Sequence, residues 1–348
     1  MKNKFKVLDL FCGSGGLSSG FIEAGYNVVL GIDNWKDAIF TFEKNHHNSK
    51  GIVADLFLES PKSIAKKTGI SKVDLIIGGP PCQGFSIAGK RIIDDERNKL
   101  YKSFVNFVEF YKPKAFLMEN VPNIISMGEG KVKDSIIKDF KKLGYTVVCK
   151  VLLASEFGAP QNRKRAFFVG TLSKSEFQFP VSIKKALITS KEAISDLPEM
   201  SLSDGTKYIN EPKSEFQKNI RQTSIGIFNH QITNHNEQTI SIIKKVPDGG
   251  NYKDLPKDLQ QTRNVNIAWT RLNSNKPSFT IDTGHRHHFH YKYNRVPTVR
   301  ESARIQSFSD NFIFYGSKTS QYRQVGNAVP PILSKCIATA LLEFLKEK

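Results

Sequence analysis

The sequence predicts an α/β fold, with a doubly wound, mostly parallel sheet and a second, smaller domain of irregular build. Strand-like and helix-like segments alternate through the first half of the 348 residues. From about 173 to 293 the periodicity weakens, while Asn, Gln, Ser and Lys become more frequent. A chain with 39% hydrophobic and 24% charged residues can form a full core and two domains.

Each predicted element follows from its local pattern. Short apolar runs predict strands at Lys6–Phe11, Asn27–Ile32, Ile52–Asp55, Val73–Ile77, Ala115–Glu119, Tyr145–Leu153 and Ala166–Thr171. Helical periodicity falls near Gly16–Ala24, Asp37–Asn45, Asn98–Tyr111 and Val132–Leu143, and again at Val299–Phe308 and Pro331–Leu345. The last two strands follow each other without a long crossover helix, which indicates an antiparallel pair at one edge.

Charge and cysteine content narrow the class of protein. The net charge of +18 suits a polyanion such as nucleic acid, although a lysine-rich solubilising surface would give the same surplus. The four cysteines lie far apart without metal-ligand spacing, which argues against disulfides and zinc and for a reducing compartment. A chain without a signal peptide or a membrane-length apolar run is expected to be cytoplasmic, with no membrane partner.

The segment Gly78-Gly79-Pro80-Pro81-Cys82-Gln83-Gly84-Phe85-Ser86 is the most informative part of the chain. It follows an apolar run that predicts a buried parallel strand, and ligands of such sheets bind at the carboxyl ends of the strands. Two prolines and flanking glycines stiffen and open the turn around the thiol. This pattern favours a nucleophilic Cys82 over a buried structural cysteine.

A glycine-rich turn after the first strand predicts a cofactor site. In Asp9-Leu10-Phe11-Cys12-Gly13-Ser14-Gly15-Gly16-Leu17, the glycines allow a ligand to approach the backbone at a helix N-terminus. Asp33 ends the second strand, in position for ribose hydroxyls, and Asp55 ends the third, where it could accept from an adenine amino group. By themselves these features fit any nucleoside or dinucleotide cofactor.

Two further polar segments follow later strands. Glu119 ends the fifth strand, which neighbours the fourth in a sheet of this type, so its carboxyl group is expected near Cys82. Before the seventh strand, alternation points Gln161, Arg163 and Arg165 to one side. A solvated basic edge strand is the alternative interpretation of this second segment.

Together these motifs resemble those of the DNA (cytosine-5) methyltransferases over the whole chain apart from its variable middle. The matching segments are Asp9–Gly16 with Asp33 and Asp55, Pro80-Pro81-Cys82, Arg97 with Leu100, Glu119-Asn120-Val121, Gln161-x-Arg163-x-Arg165, Arg300–Phe308 and Gln324–Pro330. The resemblance implies S-adenosylmethionine as cofactor, S-adenosylhomocysteine as product and no metal. It implies cofactor contacts from Phe11, Gly13, Gly15, Gly16, Leu17, Asp33, Asn34, Asp55, Leu56, Pro80, Leu100, Asn327 and Val329. Because Asn34 stands where the family often has an aromatic residue, Phe11 or Trp35 is expected to cover the adenine.

The resemblance also implies a mechanism. Cys82 adds to C6 of a flipped cytosine, Glu119 stabilises N3, Arg165 holds O2, and Arg163 or Arg165 lowers the pKa of the thiol. The loop from Ser86 to Asn98 is expected to close over double-stranded DNA, with DNA contacts from Ser86, Lys90, Arg91 and Gln161. A solvated loop is the alternative to this role.

The implied domains are a catalytic, cofactor-binding domain of residues 1–174 plus 296–348 and a target-recognition domain of residues 175–295. In the latter, the histidines of Gly284–His290 favour a DNA-facing polar loop over a metal site. The resemblance indicates a monomer that is functionally paired with a restriction endonuclease. A tRNA cytosine-5 methyltransferase and an inactive DNA-binding reader remain as alternatives.

Overall fold

The structure is a computed structural model, and it describes residues 4–81, 99–182, 186–260, 269–282 and 288–347. Its internal contacts divide the chain into two compact units. The first comprises Met1–Leu153, Lys164–Ser182 and Leu333–Lys348, and the second comprises Ala154–Arg163 and Ile183–Ile332. The chain therefore leaves the first unit twice and returns to it twice.

The first unit is built on a sheet that confirms the predicted α/β class. The strands of this part of the chain are β1 (Lys6–Leu10), β2 (Asn27–Asp33), β3 (Lys50–Val53), β4 (Leu75–Gly78), β5 (Ala115–Asn120), β6 (Thr146–Leu153), β7 (Gln161–Asn162) and β8 (Lys164–Thr171). All except β7 form one sheet of seven strands in the order β3-β2-β1-β4-β5-β8-β6. The first five strands are parallel, and β8 runs antiparallel to both β5 and β6. The antiparallel pair predicted at one edge is thus present.

The helices in chain order are α1 (Gly16–Glu23), α2 (Lys36–Asn45), α3 (Pro61–Thr68), α4 (Lys99–Tyr111), α5 (Lys131–Lys142), α6 (Ser190–Ile194), α7 (Glu215–Arg221), α8 (Glu237–Lys245), α9 (Lys257–Gln260), α10 (Val299–Ile305), α11 (Lys318–Asn327) and α12 (Pro331–Lys346). The predicted helices are confirmed within about two residues, apart from the C-terminus of α10, which ends at Ile305. Sequence patterns predicted neither α3 nor α11. In α3, Ile64 is the one buried residue, so its apolar period is too weak to detect.

Local signals nevertheless explain where α3 begins and ends. Ser60 is its N-cap, and its hydroxyl accepts from the Ser63 amide at 3.2 Å. Pro61 occupies the first helical position, where its missing N–H costs nothing. Gly69 ends the helix with a left-handed backbone at φ 75°.

Strand order reverses direction between β1 and β4, because the chain first builds outward from β1 to β3 and then restarts on the other side of β1. A crevice opens at the carboxyl ends of the strands at such a switch point. The two strands approach closely there, since a Cβ built on Gly78 would lie 2.1 Å from the Leu10 carbonyl oxygen. Only glycine fits this position.

The last helix packs into the first unit beside α1. The Ser334 hydroxyl donates to the Leu17 carbonyl at 2.6 Å, and the Tyr26 hydroxyl donates to the Ala338 carbonyl at 3.2 Å. Within the described chain, residues 318–346 are the one helical stretch long and apolar enough to cross a membrane. This stretch is broken between α11 and α12, and Leu333, Ile337 and Leu341 are fully buried. Its apolar content is thus that of a core helix.

The second unit has little regular structure, as its sequence predicts. Beyond its short helices, its described residues form two small parallel pairs, β7 with β10 (Ser278–Phe279) and β9 (Thr270–Arg271) with β11 (His288–Phe289). All seven residues of α10 are buried, including two arginines and a glutamate. Polar interactions therefore have to hold much of this unit together.

Buried arginines supply those interactions. Arg304 donates to both carboxylate oxygens of Asp310, at 2.9 and 2.7 Å, and also pairs with Asp196. Arg300 donates to the carbonyls of Phe228 and Phe312. These bonds tie α10 to residues 193–228, which explains why residues 296–332 group with the second unit. The predicted functional boundary at 295/296 stays a prediction.

Arg295 and Glu301 form the best-defined ion pair of this network. Both guanidinium Nη atoms lie 2.8 Å from the Glu301 oxygens, and Glu301 also accepts from the Thr298 amide at 2.7 Å. Burial alone would raise the pKa of Glu301, but the charge of Arg295 outweighs it and holds that pKa well below its usual range. The stability that this pair provides is present above pH 4.5, the ordinary pKa of the group, and is lost as the pH falls below it.

We expect Glu301→Gln to lower the free energy of unfolding by about 3 kcal/mol, because it leaves the buried Arg295 charge uncompensated. Urea unfolding at pH 7 followed by circular dichroism measures the change. Glu215→Gln is the matched control, since Glu215 pairs with Lys218 at the surface and its side chain is 79% exposed. The control should change by less than about 0.5 kcal/mol. Equal urea midpoints for all three proteins would contradict this role of Glu301.

Candidate active site and cofactor turn

The turn between β1 and α1 has a left-handed backbone at Phe11, Gly13 and Gly15, with φ of 58°, 54° and 93°. Gly15 is also confined by its neighbours, because a Cβ there would lie 2.3 Å from His46 Cε1. At Gly13, in contrast, a Cβ would have no atom of the described residues within 4 Å. The turn is thus packed from behind at Gly15 and open at Gly13, which leaves room for a ligand.

His46 supports the turn from behind. It caps the C-terminus of α2, and it is buried. One ring nitrogen, Nδ1, lies 2.8 Å from the Phe42 carbonyl, and Nε2 lies 3.1 Å from the Ser19 hydroxyl. Burial lowers the pKa of His46 to about 4, so the ring is neutral at pH 7. His46 therefore acts as a packing residue.

Asp33 fixes the turn to the end of β2. One carboxylate oxygen accepts from the Gly13 amide at 2.9 Å, and the other accepts from the Trp35 amide at 3.0 Å. Asn34 is exposed and Trp35 is half-buried at the N-cap of α2. The structure thus puts Asp33 at the predicted edge, and its ribose contact stays a prediction.

The other predicted cofactor residues of the first unit lie at strand ends or on α4. Asp55 follows β3 and its Oδ1 accepts from the Phe57 amide at 2.9 Å, while Leu56 is buried beside it. Pro80 follows β4 and is buried, and Leu100 is half-buried in the first turn of α4. Because parallel strands end at the same edge, the residues after β1, β2, β3 and β4 share one side of the sheet.

Glu119 lies at the end of β5, with its carboxylate directed across the segment that leads to Cys82. A Cβ built on Gly79 would lie 2.8 Å from Glu119 Oε2. On its other side, Glu119 Oε1 lies 2.8 Å from Arg165 Nε. The two side chains are largely buried, with exposed fractions of 14% for Glu119 and 15% for Arg165. Next to it, the Asn120 side-chain amide donates to the Pro80 carbonyl at 3.0 Å and ties the two strand ends together. Glu119 therefore lies against Gly79, at the start of the turn that leads to Cys82, and its proximity to Cys82 stays a prediction.

Gln161 and Arg163 belong to the second unit. Both are buried while Asn162 and Lys164 are exposed, which confirms the predicted alternation. The Gln161 Oε1 accepts from the Ile281 amide at 2.8 Å, and its Nε2 contacts Gln306. Its amide therefore faces the interior, and the described contacts lend no support to the predicted contact with DNA. Arg163 Nη2 donates to the Gly326 carbonyl at 2.7 Å.

The segment that contains Asn327 and Val329 is held from within the same unit. Gln306 Nε2 donates to the carbonyls of Val325 and Ala328, at 3.0 and 2.6 Å. Asn327 is exposed and Val329 is buried. Sequence reasoning gave Gln306 no role, although its place inside a matched motif was a signal.

His290 differs from the predicted DNA-facing loop. It is buried, and its Nδ1 accepts from the amides of Lys292 and Tyr293, at 3.0 and 3.1 Å. Burial lowers its pKa to about 4, so this histidine is a neutral interior residue. His288 is half-buried, with Nδ1 3.6 Å from Asp282 Oδ2. The remaining histidines of that segment, at 285 and 287, fall outside the described residues.

Four predicted site residues, Cys82, Ser86, Lys90 and Arg91, also lie outside the described residues, as does Arg97. Within the described ranges, no group of three or more His, Cys, Asp or Glu side chains could hold a metal ion. The sequence patterns also gave no partner for Asp9. Its carboxyl group is fully buried and accepts a hydrogen bond from the Ser18 hydroxyl at 2.6 Å. An acid inside the apolar run Val7-Leu8-Asp9-Leu10 was the available signal.

Comparison with solved structures agrees with this fold. The chain resembles the crystal structure of a prophage-encoded DNA modification methyltransferase from E. coli, with a TM-score of 0.80 and 28% identity over 99% of this chain and 100% of that one. The S. pombe Dnmt2 methyltransferase has a TM-score of 0.62 at 16% identity over 98% and 99% of the two chains, which shows the fold alone.

Sequence comparison is more specific. The chain is 38% identical to the type II methyltransferase M1.HphI of Haemophilus parahaemolyticus, over 97% of this chain and 86% of the relative. It is 38% identical to M.DdeI of Desulfomicrobium norvegicum, over 95% and 87%. The C-5 cytosine-specific DNA methylase family matches residues 5–343. The chain therefore belongs to the C-5 cytosine-specific DNA methylases and is a DNA (cytosine-5) methyltransferase.

Proposed function

We propose that the protein methylates C5 of a specific cytosine in duplex DNA through a covalent bond between Cys82 and C6 of the base. The observation that supports this proposal best is the position of Glu119. Its carboxylate lies over Gly79 and is held at 2.8 Å by Arg165, beside the strand end that leads to Cys82. An acid and a cation therefore lie next to the strand end from which the chain continues to Cys82.

The chemistry explains why these groups are needed together. The electrons at C5 of cytosine belong to an aromatic ring, so C5 is a weak nucleophile. Addition of the Cys82 thiolate to C6 breaks the conjugation and shifts electron density to C5 and N3. Glu119 stabilises N3 through a proton as this charge builds up, and Arg165 holds O2. Loss of the C5 proton after methylation expels Cys82 and restores the ring.

The first unit fits S-adenosylmethionine, whose sulfonium supplies the methyl group. The turn is open at Gly13, Asp33 ends β2 in the position proposed for ribose, and Asp55 follows β3 in the position proposed for adenine. Phe11, Gly15, Gly16, Leu17, Leu56, Pro80 and Leu100 complete the proposed set in this unit, and Asn327 and Val329 are its members in the second unit. No metal takes part in this scheme.

The remaining roles concern DNA. The target base has to leave the duplex to expose C6, which costs a few kcal/mol of stacking and pairing. We propose that Ser86, Lys90 and Arg91 contact the DNA as their loop closes, and that residues 175–295 read the sequence. Arg163 or Arg165 supplies the positive charge that favours the Cys82 thiolate. The protein acts as a cytoplasmic monomer that protects DNA from a cognate restriction endonuclease.

One assay tests the substrate. The protein is incubated with labelled S-adenosylmethionine and either plasmid DNA or bulk tRNA, and the labelled DNA is then mapped by bisulfite sequencing. Label at one cytosine of a recurring DNA sequence supports the proposal. Label in tRNA alone would support a tRNA methyltransferase, and label in neither would indicate a DNA-binding protein without activity.

We expect Cys82→Ser to abolish methyl transfer, because a hydroxyl at this position is a far weaker nucleophile than a thiolate. Duplex DNA with 5-fluorocytosine at the mapped target, incubated with S-adenosylmethionine, tests the bond directly, since after methyl transfer to C5 fluorine cannot leave as a cation and the adduct is trapped. The wild-type protein should form a stable adduct that survives denaturing electrophoresis, and Cys82→Ser should form none. Cys149→Ser, on β6, is the matched control and should be trapped like the wild type. Trapping by Cys82→Ser would contradict the role of this thiol.

Glu119→Gln should lower kcat by roughly 10²-fold or more, the usual contribution of a positioned acid, while the dissociation constant for S-adenosylhomocysteine changes little. The amide keeps the contact with Arg165 but cannot share a proton with N3. Glu129→Gln is the matched control, because Glu129 is exposed and pairs only loosely with Lys131, at 3.7 Å. Single-turnover rates on the mapped duplex measure both variants. A normal rate for Glu119→Gln would mean that N3 needs no acid.

A further inference from the structure

Asp9 is a buried carboxyl group for which the proposed mechanism has no use. It lies on β1, the strand flanked by β2 and β4, and its side chain is fully buried. It immediately precedes the cofactor turn in sequence. A carboxylate at such a place needs several hydrogen-bond donors to remain charged.

Asp9 has few such donors. Its Oδ2 accepts from the Ser18 hydroxyl at 2.6 Å, whereas its Oδ1 has no hydrogen-bond partner among the described residues. Ser14, in the turn above it, likewise has a buried hydroxyl without a partner in the described part of the chain. The surroundings of Asp9 thus compensate a negative charge poorly.

Asp33 offers the contrast. Its two carboxylate oxygens accept from two backbone amides, those of Gly13 and Trp35. When two carboxyl groups are neighbours, the negative charge of one disfavours ionisation of the other. The group that accepts more hydrogen bonds ionises first. Asp33 is therefore the ionised member of the pair, and its charge further disfavours ionisation of Asp9.

We propose that Asp9 is a positioning residue of the cofactor turn that works as a neutral carboxylic acid, so that cofactor binding weakens when Asp9 loses its proton. The inference rests on the proposed use of this turn for S-adenosylmethionine. A neutral Asp9 lets the turn pack onto β1 without repelling Asp33, whose bond to Gly13 shapes the turn. An ionised Asp9 adds a second, poorly compensated negative charge to that of Asp33 beneath the cofactor.

The surroundings fix the direction of the pH dependence. Burial first, and then the charge of Asp33, raise the pKa of Asp9 to about 8, although the Ser18 hydrogen bond lowers it. Cys12 also faces Asp9, and burial raises the pKa of its thiol well above its usual value, so it stays a thiol. From α1, Ser18 faces Asp9, while Glu23 lies at the far end and pairs with Lys335. The residues of β4 that pair with β1, Leu75–Gly78, have no titratable side chains.

The test measures binding of S-adenosylhomocysteine by calorimetry between pH 6.5 and 9.5, for the wild type and Asp9→Asn. Asparagine keeps the shape of the neutral acid but cannot ionise. The amino group of the ligand titrates in both experiments, so the ratio of the two dissociation constants isolates Asp9. We expect this ratio, wild type over variant, to rise about tenfold from pH 7 to pH 9.

Two further measurements test whether Asp9 is the group that titrates. Ser18→Ala removes the donor that lowers the pKa of Asp9, so the midpoint of its pH profile should move to higher pH. Thermal unfolding should show the wild type losing stability relative to Asp9→Asn as the pH rises toward 8, because the unfolded chain ionises near 3.8.

The outcomes separate the inference from the proposed function. Parallel pH profiles for wild type and Asp9→Asn would overturn the role of Asp9 while leaving the cofactor site intact. Binding by Asp9→Asn that is far weaker than that of the wild type at pH 7 would mean that the charged form is needed, and would also overturn it. If neither protein binds S-adenosylhomocysteine at any pH, the proposed cofactor site itself fails.

Discussion

The reversal of strand order between β1 and β4 is the constraint on which the candidate site depends. Parallel strands deliver every carboxyl end to one edge of the sheet, and ligands of such sheets bind where the strand order reverses. The glycine-rich turn follows β1, and the segment that leads to Cys82 follows β4. Close approach at Gly78, where a side chain would collide with the Leu10 carbonyl, keeps these two strand ends together.

The second unit is held together differently. Its described residues include three modest apolar clusters, and its buried arginines bond to carbonyls and carboxylates of distant segments. Arg271 shows the pattern well, because it donates to the carbonyls of Val246, His290 and Tyr293. Such an arrangement suits a unit with little regular structure, since a guanidinium can satisfy several loop carbonyls that no sheet would pair. The stability of this unit is therefore sensitive to substitution, because removing one partner of an arginine leaves an uncompensated buried charge.

Several residues show where sequence patterns reach their limit. Alternation correctly placed Gln161 and Arg163 on one side, but it could not tell whether that side faces the interior or a ligand. The histidine run suggested a polar loop, yet His290 is an interior residue that accepts two backbone amides. In both cases the deciding factor is contact with residues more than a hundred positions away or with a packed cluster, which no local pattern encodes. The helix α3 was missed for the opposite reason, because it buries a single residue.

By itself, the sequence determined the class of fold, the parallel order of the first strands, the antiparallel edge and the family. Glycines, prolines and apolar runs dictate these features through backbone geometry and burial, which act over a few residues. Only the tertiary structure decided that Glu119 lies over Gly79 and bonds Arg165, that residues 296–332 pack with the second unit, and that Asp9 has one hydrogen-bond donor where Asp33 has two. These facts depend on which side chains meet across strands and loops, and therefore on distances that sequence separation does not contain.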